Sequence, residues 1–457
     1  MIGPFAIQAD CIVPVESEPI PSGLVVVDDG TVQFVGTQLP SRFNSIRRFH
    51  LPGFAILPGL INSHCHLEFS DLNEPILPGC SFPEWIQNLL ACRNSKKHDA
   101  EQSANERRSA INSGILESYA AGVRWIVDMV TSPWEPEWID GAVNTNALVS
   151  SLPAGLAPRV PISVQPCIEL LDIEPRRLEL ALSLAQKQSV APESKWFGRM
   201  GYAPHAPYTA SSNVTRLGAQ YSREQKRLVS MHLAESIDEM DWIEGRKGAF
   251  ADFLVPLISK DYFRDLGQIS EHVQWLTQSW RAMIAHGNYL SHEDLVRLAD
   301  HQTRCGIVHC PRTHLFFGHR HGDSELYPLA ERISRGVRHF LGTDSRASNP
   351  DLNIWSEAKR VRADHRAISS IDIIKMITTD AAQFLCIQDR YGSLREGQPA
   401  SLTAVTIAQT GRSASESIGV KSVTNVYDAL LASDSISMPL ELAIAIPGTQ
   451  KQFDLYR

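Results

Sequence analysis

Apolar, β-rich runs recur through the middle of the chain at 55–66, 123–129, 161–170, 198–207, 227–236, 281–288, 305–311 and 336–345. Apolar residues at helical spacing fill most of the gaps, as in FPEWIQNLLACR (82–93) and HEDLVRLADHQ (292–302). Eight strands alternating with helices predict a parallel sheet, and eight is the number that closes a barrel. The two ends are patterned differently. GLVVVDDGTVQFVG (23–36) is two short β runs around Asp-Asp-Gly, a hairpin signal, and no convincing amphipathic helix precedes Phe82. GSLREGQPASLTAVTIAQ (392–409) is again turn plus strand. Each end is too small for its own core, which predicts one shared domain. The expected fold is α/β: a (β/α)8 TIM-like barrel over 59–391, with a small composite β-sandwich domain formed by both chain ends, 1–58 plus 392–457. The Ser-rich GRSASESIGVKS (411–422) reads as a loop.

Composition narrows the class. The 457 residues carry 43 Lys+Arg against 51 Asp+Glu, a net charge of −8, with 43% hydrophobic and 21% charged residues. That is globular composition with ample core. The acidic balance, without a basic block, argues against nucleic acid or an anionic membrane surface as partner. FAILPGLI and MPLELAIAI are among the longest apolar stretches, and both fall short of the roughly 20 residues that a span needs. MIGPFAIQAD lacks the basic-then-apolar pattern of a secretory signal. The 8 cysteines form no CxxC pair and read as reduced thiols, so a cytoplasmic location is expected.

The runs end in residues capable of chemistry: His64 and His66, Asp128, Glu169, His205, His232 and Glu235, His286, His309, and Asp344. Strand ends surround the active site of such a barrel, so the ring carries more weight than any member. His64-Cys65-His66 alternates along a strand, which puts both imidazoles on one side, about 6–7 Å apart, and Cys65 on the other. Two such rings can bind one metal, although a lone HxH has many ordinary explanations.

LPGLINSHCHLEFS, GYAPHAPYT, MHLAES, IAHGNYL, VHCPRTH and LGTDSRASNPDLN, in that order, resemble the amidohydrolase superfamily. They resemble most its aminohydrolase branch of guanine, adenosyl-homocysteine and aminodeoxyfutalosine deaminases and triazine hydrolases. The match spans about residues 23–405. The resemblance implies metal ligation by His64, His66, His232 and Asp344, suited to one Zn²⁺ or Fe²⁺. One ion is expected because the bridging lysine of two-metal members is missing: that strand ends APHAP, and Lys195 lies too early. It further implies catalytic roles for Glu235 as proton carrier, His286 beside the attacking water and Asp344 as proton acceptor. His205 is expected at the substrate or at the edge of the metal site. Ser345 and Ser348 are expected to fix the loop after Asp344, whereas Asp128 and Glu169 read as hydrogen-bonders at the barrel mouth.

The loop after the seventh run departs from the NPxSN of many relatives: here it reads His309-Cys310-Pro311-Arg312-Thr313-His314, then LFFGHRHGD. Arg312 is a planar fork suited to a carboxylate or a purine carbonyl. Phe316 and Phe317 could stack on a flat ring, and packing within the protein explains them equally well. His309 reads as pocket wall or structural. HLEFSDL and FPEWI resemble aminodeoxyfutalosine-type deaminases more than triazine hydrolases, which makes Trp85 and Arg312 candidate substrate contacts, Arg312 for that nucleoside's benzoate. The expected activity is hydrolytic deamination of an amino-substituted heterocycle or nucleoside. Hydrolytic dechlorination or other C–N hydrolysis is the alternative on the same scaffold. A non-catalytic barrel serving as an assembly module would be expected to have lost ligands that this chain keeps. Relatives of this kind also suggest a homodimer.

Overall fold

The computed structural model describes residues 3–94, 100–139, 162–190, 198–258, 265–407 and 423–445. The expected loop at 411–422 lies outside them. The chain opens with β1 (Phe5–Ile12), β2 (Ile20–Pro21), β3 (Leu24–Asp28), β4 (Thr31–Gly36) and the long β5 (Arg47–Pro58). Asp29 and Gly30 join β3 to β4 with φ of 48° and 74°, the doubly left-handed turn that suits a two-residue hairpin. β14 (Leu402–Thr406) and β15 (Ser437–Pro439) return from the other end of the chain. They extend this sheet in the order β15-β14-β5-β1-β3-β4, with β2 beside β1. Ile7, Val25, Leu51 and Ile56 share one buried cluster with Leu402, Ala404 and Ile444, so the two chain ends do form a single core.

Eight strands make the second sheet: β6 (Leu60–Cys65), β7 (Val123–Val130), β8 (Ser163–Leu170), β9 (Gly201–Pro204), β10 (Leu228–Leu233), β11 (Arg281–His286), β12 (Cys305–His309) and β13 (His339–Leu341). Neighbours in this order pair in parallel. The sheet closes where the Thr343 and Asp344 amides each donate to the His64 carbonyl at 3.1 Å, beside a parallel bridge between Cys65 and Asp344. Gly59 marks the step from β5 into the barrel: a Cβ there would lie 2.1 Å from Arg124 Cγ. Arg124 is itself buried, and it ties β7 to the chain's end through Glu441 at 2.6 Å and the Leu402 carbonyl at 2.9 Å.

Five helices around the barrel start on side-chain caps. Ser211, Ser236, Ser291, Asn353 and Ser369 each accept an amide of the first turn. Inside the barrel, Cys167, Ala203, Leu228, Met283, Val308 and Phe340 form an apolar cluster. Glu169 and His205 stand two residues beyond Cys167 and Ala203, on the same strand face and nearer the mouth. Among the described residues, no helix is long and apolar enough to cross a membrane.

Candidate active site

The polar strand ends converge on one point. The His64 ring centroid lies 5.1 Å from that of His66 and 4.9 Å from that of His232. The Nε2 atoms of His66 and His232 approach to 3.0 Å. Asp344 Oδ1 lies 3.7 Å from Nε2 of both His64 and His66. All four residues are buried. Cys65 faces away, into the apolar cluster around the barrel.

His232 Nδ1 sits 2.9 Å from the His205 carbonyl, which can only accept, so Nδ1 carries the proton and Nε2 offers a lone pair. That lone pair faces another imidazole at 3.0 Å, a repulsive arrangement unless a cation or proton lies between. His64 goes further: both its ring nitrogens are buried and unpartnered. Leaving such a group unpaired costs about 1–3 kcal/mol. Donor atoms of His64, His66 and Asp344 lie within 4.8 Å of one another, as do those of His64, His232 and His286. These overlapping sets of imidazoles and a carboxylate fit a divalent metal ion. Burial, with the other imidazoles nearby, holds His66 down at about 3 and His232 well below its usual range, so both are neutral and able to ligate. Burial alone would raise Asp344, yet the His64 ring and the His286 and His66 imidazoles hold it below the carboxylate range. Ser348 Oγ donates to Asp344 Oδ2 at 2.7 Å and leaves Oδ1 turned toward the histidines.

Glu235 stands beside this ring, 5% exposed, with Oε1 3.5 Å from His286 Nε2. Burial, followed by the Asp344 and Glu239 carboxylates, pushes its pKa well above normal. Its backbone is held on both sides. The Ala234 and Glu235 amides donate to Glu239 at 2.9 and 2.8 Å, and Asn288 Nδ2 donates to the Glu235 carbonyl at 2.8 Å. Neither Glu239 nor Asn288 was expected from the sequence. The signal for Glu239 was legible as Ser236-x-x-Glu239, a capping box. His286 and Asp344 both have left-handed backbones, with φ of 64° and 57°, conformations that cluster at functional sites.

A cavity of about 290 Å³ opens onto this ring. His205 and Trp85 line it, and the Trp85 Nε1 is buried without a hydrogen-bond partner. Phe69, Phe82, Leu89, Phe253 and Leu254 give it apolar walls. Glu169 also lines it, 3.9 Å from His66 Nδ1 and 4.0 Å from His205 Nε2. Those distances are too long for the mouth hydrogen bonds expected of Glu169. Burial, with Glu68 nearby, raises it to about 8. Asp128 does accept a hydrogen bond, from the Leu67 amide at 2.8 Å.

One expectation for the loop after β12 is corrected, that of Arg312 as a substrate contact; for Phe316, Phe317 and His309 the packing and structural readings hold. Arg312 does not reach the cavity: Nε donates to Glu357 at 2.7 Å, and an NH2 hydrogen goes to Asp351 at 2.7 Å. The fork is spent on two carboxylates inside the protein. Glu357 also accepts from Asn349 at 2.6 Å, so Arg312 clasps the loop that carries Asp344. Phe316 and Phe317 pack on each other, with Phe317 edge-on to Trp85 at 5.0 Å, behind the cavity wall. His309 is structural, stacked on Tyr327 at 4.1 Å.

Known proteins agree with this architecture. Residues 55–432 match the Amidohydrolase family. A 5-methylthioadenosine/S-adenosylhomocysteine deaminase of Moorella thermoacetica is 24% identical over 417 residues, covering 89% of this chain and 87% of that protein. Among solved structures, the aminofutalosine deaminase of Helicobacter pylori in complex with methylthio-coformycin superposes with a TM-score of 0.73 at 18% identity, covering 93% of this chain and 95% of that one. A zinc-bound adenosine deaminase from Xanthomonas campestris follows at 0.67 and 17%, covering 93% and 89%. With the family matched over most of its length and the site assembled at its strand ends, this chain belongs to the amidohydrolase family.

Proposed function

We propose that this protein is a metal-dependent deaminase that hydrolyses the exocyclic C–N bond of an adenosine-like nucleoside or a related amino-substituted heterocycle. One Zn²⁺ or Fe²⁺ per chain would be held by His64, His66, His232 and Asp344. The observation that carries the reading is the convergent donor set with the buried Glu235 carboxyl beside it, 3.5 Å from His286, in surroundings that raise its pKa. A divalent ion, when bound, supplies the Lewis acidity that ionises water near neutral pH.

The chain's own groups do the rest. Glu235 gives its proton to the ring nitrogen next to the amino-bearing carbon, which makes that carbon electrophilic. The water oxygen bonds to the carbon while His286, 3.5 Å from Glu235 Oε1, orients it. Asp344 accepts one water proton and passes it to the amino group. Glu235, now a carboxylate, takes the remaining hydroxyl proton as the carbonyl forms, and ammonia leaves. His205 and Trp85 hold the ring, and the apolar walls exclude bulk water. Adenosine-like substrates are favoured because deaminases similar to this chain are named for 5-methylthioadenosine, S-adenosylhomocysteine and adenosine. A benzoate anchored by Arg312 drops out, since that guanidinium is already paired.

Ammonia release measured across adenosine-, guanine-, futalosine- and triazine-type compounds tests the proposal, with the highest kcat/KM expected for an adenosine-type compound. Chloride release from a triazine without ammonia from any nucleoside would replace it with dechlorination. Glu235→Gln should keep the metal and lose about 10²–10⁴ in kcat. Near-normal turnover would remove Glu235 as proton carrier.

A further inference from the structure

The turn after β11 is built around a buried cation. Arg332, on the helix Leu329–Ser334, is 3% exposed, and among the described residues no carboxylate pairs with it. Its NH1 donates to the Gly287 carbonyl at 2.6 Å and to the Tyr327 hydroxyl at 2.7 Å, and its NH2 donates to the Asn288 carbonyl at 2.7 Å. The Tyr327 ring lies under the guanidinium at 4.5 Å. Tyr327 passes the polarity on: its hydroxyl donates to His339 Nε2 at 3.1 Å, because His339 Nδ1 donates to the Val337 carbonyl at 2.9 Å. A buried charge without a counter-charge is costly, and a lysine's single compact ammonium lacks the planar fork that here reaches the acceptors from two separate nitrogens.

The clasped segment does the most demanding backbone work at the site. His286 and Gly287 are consecutive left-handed residues, with φ of 64° and 57°. This turn swings the His286 ring toward Glu235 Oε1 and brings Asn288 Nδ2 to the Glu235 carbonyl. The Gly287 and Tyr289 amides meanwhile dock on the Leu233 and Ala234 carbonyls at 3.0 and 2.9 Å. Two carbonyls turned out of strand register would otherwise lack donors, and Arg332 supplies them. The geometry points to Arg332 as a positioning residue, holding the 286–288 turn so that His286 and Asn288 meet Glu235 in working register. The inference rests on the proposed reaction only in taking Glu235 and His286 as the groups that act on substrate and water.

Arg332→Lys tests it, read per metal-loaded, folded enzyme. Misplacement by about 1 Å can cost about 100-fold, so kcat should fall about 30- to 100-fold while KM stays within about threefold. Amides of Gly287 and Tyr289 should exchange with deuterium at least about tenfold faster, a readout independent of turnover. A kcat within about twofold of wild type overturns the inference, as does a fall in kcat that only tracks lost metal. Should the lysine variant not fold, Tyr327→Phe removes one clasp partner: a threefold or larger fall in kcat at constant KM, about 0.7 kcal/mol, supports the clasp, and an unchanged kcat overturns it. If wild-type enzyme releases no ammonia from any substrate, the deaminase reading fails, and the exchange rates alone decide the role of Arg332.

Discussion

Two groups of histidines flank the turn after β11, and they follow opposite electrostatic plans. In the first, His64, His66 and His232 surround Asp344, with ring nitrogens left unpartnered or facing one another at 3.0 Å. In the second, His309, His314, His321 and His339 gather around Tyr327, with the His314 and His321 rings stacked nearly parallel, centroids 5.4 Å apart. Here two of the rings are fully spent: the nitrogens of His314 reach the Asn288 side chain and the Glu325 carbonyl, and those of His339 reach Val337 and Tyr327. His309 Nδ1 and His321 Nε2, by contrast, are buried without a hydrogen-bond partner. A cation is already present, the Arg332 guanidinium. Burial and that charge lower His314 to about 4 and His339 to about 3. One group is arranged to receive a cation, and the other is packed around a cation that belongs to the chain. Crowded histidines therefore do not define a metal site; the aim of their lone pairs and the sign of the nearest fixed charge do.

The largest effect should separate the groups outright. His66→Asn should lose bound metal and about 10³-fold or more in turnover. His314→Gln should keep full metal content, measured by elemental analysis, with activity within about tenfold of wild type. Metal loss in the second variant would break the distinction. Stability should divide in the same way: Zn²⁺ at about 100 times its Kd adds about 2.7 kcal/mol to the metal-free protein, read as a rise in Tm. His66→Asn should abolish this gain and His314→Gln preserve it.

The smallest effect is acid destabilisation by the second group. Its folded pKa values lie below the ordinary 6.5, so between those limits the unfolded chain binds protons that the folded chain refuses. Stability is therefore full above about pH 6.5 and falls as pH drops, by up to about 1.4 kcal/mol per unit for each such histidine. His339→Gln, which can still accept from Tyr327 and donate to Val337, should flatten the fall in denaturation midpoint between pH 6.5 and 5. An unchanged slope would show that His339 is not among the groups responsible.

Much of this was legible in one dimension. Eight apolar runs became eight strands because period and length are local properties, and the ring followed because functional residues sit at run ends. His64, His66, His232 and Asp344 converge although a span of 280 residues separates the first from the last. Arg312 was misread for the complementary reason. A fork near the mouth suits an anion, but its partner Glu357 lies 45 residues away, and no periodicity reveals which charges will pair. Arg332 gave no signal at all, since an arginine in LAERISRG looks like any solvated helix face. The buried cation exists only because three carbonyl and hydroxyl acceptors arrive from elsewhere in the fold.

β6 is the first barrel strand to be made and β13 the last, and they meet where Thr343 and Asp344 bond to His64. A growing chain exposes His64 and His66 long before Asp344 leaves the ribosome. Until then the chain offers histidines to any passing metal without the carboxylate that completes the set. With the proposed ligand set, retention of an ion would report that the final strand has docked. A chain that stalls short of it would be left with an open sheet edge and an incomplete set of ligands.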